Sequence, residues 1–170
     1  MALRLILVRH AKSSWADPAL EDAARPLNGR GRRSASAIGR WLSDEGHLPE
    51  RVLSSDSART RETWARIAAE LPDPPRAEWL ARLYHATPEI ILEELRRAGT
   101  ASPVLVLAHN PGMAVAARAF AAVVPNHPKF VQYPTAATTV YDLKLEHWSA
   151  LGWGTACVRD FVVPRELGTT

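Results

Sequence analysis

Three short, largely apolar runs constrain the fold of this chain more than any other feature. They cover residues 3–8, 51–54 and 104–108, and each has the length of one strand. Such runs are typical of a parallel sheet with helices on both faces, because neither face of that sheet meets water. Residues 138–145 and 156–163 are alternating and rich in β-branched side chains, which predicts two further strands, either paired as a hairpin or apart in the sheet.

Segments of helix length separate these strands. Residues 30–45 place Ala35, Ile38 and Leu42 at helical spacing. Similar patterns, two of them introduced by Thr87-Pro88 and Asn110-Pro111, predict helices over residues 59–71, 87–97 and 113–123. Strands that alternate with helices predict an α/β protein, specifically a three-layer α/β/α sandwich with a mainly parallel central sheet.

Length and charge narrow the classes of function. A chain of 170 residues predicts one domain, which we place at residues 1–164 with a C-terminal tail at 165–170. The net charge of +3 and the pI near 9.4 arise from arginines interleaved with acids, which favours anionic substrates over nucleic acid. The single Cys157 excludes an internal disulfide, and no apolar run reaches the ~18 residues of a membrane span. We therefore expect a cytoplasmic protein with no membrane partner.

Polar residues directly follow three of the predicted strands. Arg9 and His10 follow the first, a segment ending in Arg59 follows the second, and His109 follows the third. The carboxyl ends of parallel strands meet at one edge of a sheet, and ligands bind at that edge. The sequence therefore predicts that two histidines and two arginines from distant parts of the chain form one site.

This set of residues suits a phosphoryl group. Guanidinium groups match phosphate oxygens and stay charged, so we expect Arg9 and Arg59 to bind the phosphate and stabilise the transition state. A neutral imidazole can attack phosphorus, and His10 is placed to form a phosphohistidine that water then hydrolyses. His109 is predicted to donate to a phosphate oxygen, next to the positive end of the following helix.

Further polar residues near these strand ends are expected to bind substrate: Lys12, Ser13 and Asn110. No histidine or carboxylate pair has the spacing of metal ligands, so the sequence predicts neither a metal nor a cofactor. Arg61 is an alternative to Arg59 in the site. Arg25 is expected to hold its loop in place, and Trp15 is expected to pack in the core or at its rim.

Four motifs carry a resemblance to a known family. They are LILVRHAKSSW at residues 5–15, RPLNGRG at 25–31, SSDSARTRET at 54–63 and LAHNPG at 107–112. In their order and spacing the chain resembles the histidine phosphatase superfamily, which has the phosphoglycerate mutase-like fold. It is most similar to the small bacterial branch typified by the phosphohistidine phosphatase SixA. The resemblance implies that His10 is the phosphorylated nucleophile and that Arg9, Arg59 and His109 complete the phosphate pocket.

The chain also departs from the family pattern. Ala11 stands where many members have glycine, and Ala16 stands where the mutases often have asparagine. Many relatives supply a proton-donating carboxylate between the second and last motifs, but residues 79–88 contain no acid. The candidates for a general acid are Glu78 and Glu89, which flank that segment, and His85 within it.

The missing acid favours one class of substrate. An alkyl phosphate ester expels a poor leaving group and benefits from a positioned acid, whereas the imidazole of a phosphohistidine can be protonated by solvent. We therefore expect a metal-independent phosphatase whose partner is a protein carrying phosphohistidine. The alternatives are a phosphatase of small phosphorylated metabolites and a phosphate-binding module without catalysis. The sequence leaves the oligomeric state open.

Overall fold

A computed structural model describes residues 2–168. Its centre is one six-stranded sheet with the order β3-β2-β4-β1-β5-β6. The strands are β1 (Leu3–Arg9), β2 (Arg51–Ser54), β3 (Ala77–Trp79), β4 (Val104–Ala108), β5 (Thr138–Leu143) and β6 (Cys157–Val162). The α-helices are α1 (Gly29–Asp44), α2 (Ala58–Ala68), α3 (Pro88–Arg96) and α4 (Gly112–Phe120). Short 3-10 helices cover Asp22–Ala24, Ala81–Leu83, Trp148–Ala150 and Pro164–Leu167.

The sheet is parallel on one side of β1 and antiparallel on the other. Strands β1, β4, β2 and β3 run parallel. Leu107 of β4 lies opposite Val8 of β1 on one side and opposite Ser54 of β2 on the other. Strand β5 pairs antiparallel with both β1 and β6, so the two late strands are neighbours in the sheet. The predicted three-layer fold with a mainly parallel sheet is confirmed. Strand β3 was not predicted, because its three residues are at most half-buried and form no apolar run.

Both faces of the sheet are buried, as the apolar runs predicted. Leu5 and Leu7 of β1 belong to a core cluster that also includes residues of α3 and α4. Ile6 and Val8 point to the opposite side and pack in a second cluster with residues of α1 and α2. Within residues 2–168, no helix combines the length and the apolar character needed to cross a membrane.

Side-chain caps begin three of the four α-helices. The carboxamide oxygen of Asn28 accepts from the backbone N–H of Gly31 at 2.8 Å at the start of α1. Ser57 and Thr87 do the same for α2 and α3. The predicted cap at Asn110-Pro111 differs in detail: α4 begins at Gly112, and the Asn110 oxygen accepts from Ala114 N–H at 3.1 Å, one turn inside the helix.

The last described residues pack on the body of the protein. The predicted tail at 165–170 overlaps the 3-10 helix Pro164–Leu167, whose last residue packs against the core cluster of α1. The carboxylate of Glu166 also accepts from the backbone N–H of Val163 at 3.2 Å. These contacts hold the segment on the body of the protein. The remaining tail residues, 169 and 170, lie outside the described residues.

Candidate active site

An open cleft of about 260 Å³ lies at the carboxyl ends of β1, β2 and β4. The parallel ladders bring these strand ends together, which places residues from three sequence motifs around one space. Eight residues predicted from the sequence line the cleft: Arg9, His10, Lys12, Ser13, Arg59, His85, His109 and Asn110. Four further residues complete the lining: Trp15, Asp22, Arg25 and Thr135.

His10 is held with one ring nitrogen free. Its side chain is buried, and Nδ1 lies 2.7 Å from the carbonyl oxygen of Ala11. A carbonyl oxygen only accepts, so Nδ1 carries the proton and Nε2 keeps its lone pair. Burial lowers the pKa of His10 to about 3, and the charges of Arg9 and Arg59 act in the same direction. The imidazole is therefore neutral and can act as a nucleophile at neutral pH.

His109 lies beside His10, with ring centroids 5.1 Å apart. Its Nε2 is 2.8 Å from the hydroxyl of Ser55, while its Nδ1 is buried without a partner among residues 2–168. Burial lowers the pKa of His109 to about 2, and proximity to His10 contributes. When Ser55 donates to Nε2, the single ring proton resides on Nδ1, from which it can be donated to an anion.

Two of the cationic side chains that line the cleft are the predicted Arg9 and Arg59. Arg9 donates from one guanidinium nitrogen to the carbonyl oxygen of Tyr133 at 3.2 Å. Arg59 donates to the backbone oxygen and the carboxylate of Asp22 at 2.7 and 2.9 Å. The Nε atoms of both arginines are buried without a partner among the described residues, as is Nδ1 of His109. Three such nitrogens around one cleft fit an oxyanion with several acceptor oxygens.

Asp22 and Thr135 are the two cleft residues that sequence reasoning missed, and Asp22 is the charged one. Its carboxylate accepts hydrogen bonds from Arg25, Arg59, Tyr84 and His85. These bonds, that of Tyr84 foremost, hold the pKa of Asp22 far below its usual value, so the group is ionised and cannot donate a proton. Its hydrogen-bond partners lie up to 63 positions away in the sequence. The only sequence signal for Asp22 is the presence of acidic residues in the loop between the first two motifs.

Two of the three candidate acids lie outside the cleft. Glu78 is in β3, where its carboxylate forms a two-point ion pair with Arg51 at 2.5 and 2.9 Å. That pair lowers the pKa of Glu78. Glu89 is exposed in the first turn of α3 and does not line the cleft. Neither carboxylate is placed in the cleft as the sequence led us to expect, because Glu78 is paired with Arg51 in the sheet and Glu89 is exposed at the start of α3.

Arg61 and Arg25, the other arginines considered for this site, have different surroundings. Arg61 lies outside the cleft, where its guanidinium is 4.4 Å from the ring of Trp79. Arg25 holds its loop through Asp22 and Ser13, as expected, and also lines the cleft. Trp15 is 75% exposed and stacks 3.6 Å from the Arg25 guanidinium, so it forms part of the cleft's rim and not of the core.

Comparison with known proteins identifies the family of this chain. The family model of the histidine phosphatase superfamily (branch 1) matches residues 5–83. An uncharacterised protein of Mycobacterium tuberculosis is 32% identical over 164 residues, which cover 93% of this chain and 100% of that protein. The chain belongs to the histidine phosphatase superfamily.

Solved structures of the superfamily share the whole fold. A Nakamurella protein assigned as the phosphohistidine phosphatase SixA is 28% identical, with a TM-score of 0.77 over 96% of this chain and 97% of that chain. The protein histidine phosphatase SixA complexed with tungstate has a TM-score of 0.78 at 22% identity, over 97% of this chain and 99% of that chain. The chain is thus a phosphatase with a phosphoglycerate mutase-like fold.

Small residues of the superfamily motifs allow close approaches around the cleft. A Cβ atom on Gly112, at the start of α4, would lie 1.8 Å from the carbonyl oxygen of Ala86. A Cβ atom on Gly31 of α1 would lie 2.1 Å from the carbonyl oxygen of Lys12. Ala11, by contrast, is fully buried in the core cluster of α1 and α2, which accommodates its methyl group where other members have glycine. The two glycines let α1 and α4 begin against the loops that line the cleft.

His10 and His109 of this phosphatase are expected to stay neutral well below neutral pH. The lowered pKa values of about 3 for His10 and about 2 for His109 mean that the neutral form dominates above roughly pH 4. A histidine with the ordinary pKa of about 6.5 is mostly protonated by pH 5.5. Ring ¹⁵N chemical shifts, assigned with His10→Gln and His109→Gln, measure this directly. A titration midpoint above pH 6 for either ring would contradict the expectation.

Proposed function

We propose that this phosphatase works without a metal, through a phosphohistidine formed on His10, and that its preferred substrate is phosphohistidine in a protein. The observation that carries the proposal is the state of His10: Nδ1 donates to Ala11, and Nε2 keeps its lone pair beside two guanidinium groups. Among residues 2–168, no cluster of three or more His, Cys, Asp or Glu side chains could hold a metal ion.

The first step transfers the phosphoryl group to the enzyme. Nε2 of His10 attacks phosphorus in line with the leaving group, a P–N bond forms, and the leaving group departs with the electrons of its bond. Arg9 and Arg59 bind the oxygens that carry the charge of the transition state, and Nδ1–H of His109 donates to one of them. Asp22 holds Arg59 in position through two hydrogen bonds.

The second step returns the enzyme to its starting state. Water attacks the phosphohistidine, a P–O bond forms, and the electrons of the P–N bond return to Nε2. The proton lost by water ends on the released phosphate. Because the leaving group is then the imidazole of His10, this step needs no dedicated acid.

The preference for phosphohistidine is supported by the acids around the cleft. Asp22 is ionised, and Glu78 and Glu89 lie elsewhere, so none of the described residues lining the cleft offers a protonated carboxylic acid to an alkoxide. The imidazole of a phosphohistidine takes its proton from solvent and leaves readily. The assignment of the Nakamurella relative as a phosphohistidine phosphatase points to the same substrate class.

His85 favours a second candidate function, the hydrolysis of small phosphate esters. Its imidazole lines the cleft, with Nε2 at 3.1 Å from the Asp22 carboxylate. Its backbone has a φ of 50°, in the left-handed region that non-glycine residues seldom adopt and that is common at functional sites. Such an imidazole is the one remaining candidate acid that would protonate an ester's leaving group.

A substrate comparison tests these two functions. Phosphate release is measured without metal from a phosphohistidine-bearing protein domain and from a panel of small esters, with His10→Ala as the blank. We expect kcat/KM to be at least about 100-fold higher for the phosphohistidine domain, and His85→Gln to change it less than about threefold. A preference for one ester, lost about 100-fold in His85→Gln but kept in Glu89→Gln, would instead identify a metabolic phosphatase.

A further inference from the structure

A second pocket of about 220 Å³ adjoins the catalytic cleft. It lies between the first turns of α1, the segment that precedes β5 and the 3-10 helix at the end of the chain. The two spaces share Lys12 and Thr135 in their linings, so they are continuous along one surface. We call it the basic pocket, lined by Lys12, Arg30, Ser34, Lys129, Pro134, Thr135, Val163, Pro164 and Arg165.

Four cations and no carboxylate line this pocket. The side chains of Lys12, Arg30 and Arg165 form no hydrogen bond or ion pair with any described residue. The ammonium group of Lys129 contacts only the neutral amide of Gln132, at 3.4 Å. By contrast, Arg32, two positions from Arg30, is paired with Glu62 at 2.5 Å. These four residues are exposed, so solvent screens their mutual repulsion, but together they give the concavity a positive potential that attracts an anion.

Local helix electrostatics point the same way. The first turn of α1 contains basic residues and no acid, although the positive end of a helix favours negative side chains. Arg30 therefore stands where its charge is intrinsically unfavourable for the helix. Local conflicts of this kind are expected where a residue serves binding and not folding.

Ser34 provides a polar side chain between these cations. It lies one turn after Arg30 and lines the basic pocket. The residue is only 6% exposed, and its hydroxyl forms no hydrogen bond with a described residue. The hydroxyl can therefore donate to a ligand in the pocket.

We propose that the basic pocket is a second anion subsite, which binds a phosphate or carboxylate group carried by the same substrate whose phosphoryl group reaches His10. This inference rests on the proposed phosphatase chemistry at His10 and extends it to substrate selection. Arg30, Arg165 and Lys129 bind the second anionic group, Ser34 donates to it, and Lys12 lies between the two anions. The second group is either an acidic residue beside the phosphohistidine or a second phosphate on a small molecule.

Matched ligand pairs test the subsite by binding. The first pair consists of peptides with a stable phosphonate analogue of phosphohistidine, flanked by Glu in one and by Gln in the other. The second pair is fructose 1,6-bisphosphate and fructose 6-phosphate. Dissociation constants are measured by calorimetry on the His10→Ala protein, so that no ligand is turned over. We expect the more anionic member of one pair to bind about tenfold more tightly, because it gains charge-assisted hydrogen bonds.

Paired charge variants assign that gain to the pocket. Arg30→Gln with Arg165→Gln should abolish the tenfold difference. Arg66→Gln with Arg118→Gln, which removes the same charge from exposed arginines outside the pocket, should leave it intact. A difference in the peptide pair places the second anion on a protein, and one in the sugar pair places it on a metabolite. Equal binding within both pairs, or equal effects of the two double variants, overturns the subsite.

Hydrolysis by the wild-type protein separates this inference from the proposed function. If wild-type protein releases phosphate from p-nitrophenyl phosphate and the binding differences are absent, only the subsite is wrong. If the binding differences are present but neither phosphate release nor a phosphoenzyme is detected, only the catalytic proposal is wrong. The Arg30 and Arg165 variants should hydrolyse p-nitrophenyl phosphate at the wild-type rate, since that ester carries no second anion.

Discussion

Replacing His10 with alanine is expected to lower the rate of phosphate release about 10⁴-fold or more and to abolish the phosphoenzyme. In the proposed mechanism the side chain supplies the attacking Nε2. His109 cannot substitute, because its Nε2 is bonded to Ser55 at 2.8 Å. The measurement is rapid quenching after mixing with a ³²P-labelled substrate, followed by quantification of acid-labile protein-bound phosphate.

Binding should survive the same substitution. Arg9, Arg59 and His109 remain, so the affinity for tungstate is expected to change less than about tenfold. His147→Ala, which removes an exposed histidine outside the cleft, is the matched control and should keep full activity. Unchanged activity in His10→Ala would refute the assignment of the nucleophile. Tungstate binding by wild-type protein that never forms a phosphoenzyme would instead identify a phosphate-binding module.

Replacing Arg59 with alanine is expected to lower kcat/KM about 10³-fold, the second largest effect. This guanidinium is almost fully buried, lies in the cleft and is charged beside the phosphate it would bind. Its removal eliminates a hydrogen-bond donor. The hydrogen bonds from this donor would become stronger in the transition state, where negative charge develops on the phosphoryl oxygens. The loss should fall mainly on kcat, and steady-state kinetics with p-nitrophenyl phosphate measures it.

Arg61 offers a close control for Arg59. It lies two positions away on α2 and stacks on Trp79 outside the cleft, so Arg61→Ala should keep kcat/KM within about threefold. Urea denaturation of both variants measures the free energy of unfolding and so separates a loss of catalysis from a loss of folding. We expect Arg59→Ala to stay folded, because Asp22 retains Arg25, Tyr84 and His85 as partners. Equal losses in the two variants would mean that Arg59 has no special role.

Most of the secondary structure could be predicted from periodicity. Strand β4 is buried throughout, and β1 and β2 are buried except at Arg4, Arg9 and Arg51. This burial on both faces accounts for the apolar runs in the sequence. Strand β3 was not predicted, because it is a three-residue edge strand that is held by pairing with β2 and not by burial of its own side chains. The end of the chain resembled a tail, although Leu167 packs on the core cluster of α1.

Only some of the cleft residues could be predicted from the sequence. His10, Arg59 and His109 could be brought together from sequence, because each follows a strand and parallel strands end at one edge. Asp22 could not, because it lies in a single-turn 3-10 helix with no periodic pattern, and three of its four partners come from two distant segments. Glu78 was a candidate acid because of its position in the sequence, but in the structure its carboxylate forms an ion pair with Arg51.

The sequence by itself determined the layered α/β fold and the meeting of the motif residues, since both follow from regular periods and from strand direction. Only the tertiary structure decided which acids reach the cleft, how Asp22 is ionised, and that unpaired cations of α1 and the chain's end form a pocket beside Lys12. Periodic burial is a local property that every few residues repeat. The packing of loops and long polar side chains depends on contacts between distant segments, which no local pattern records.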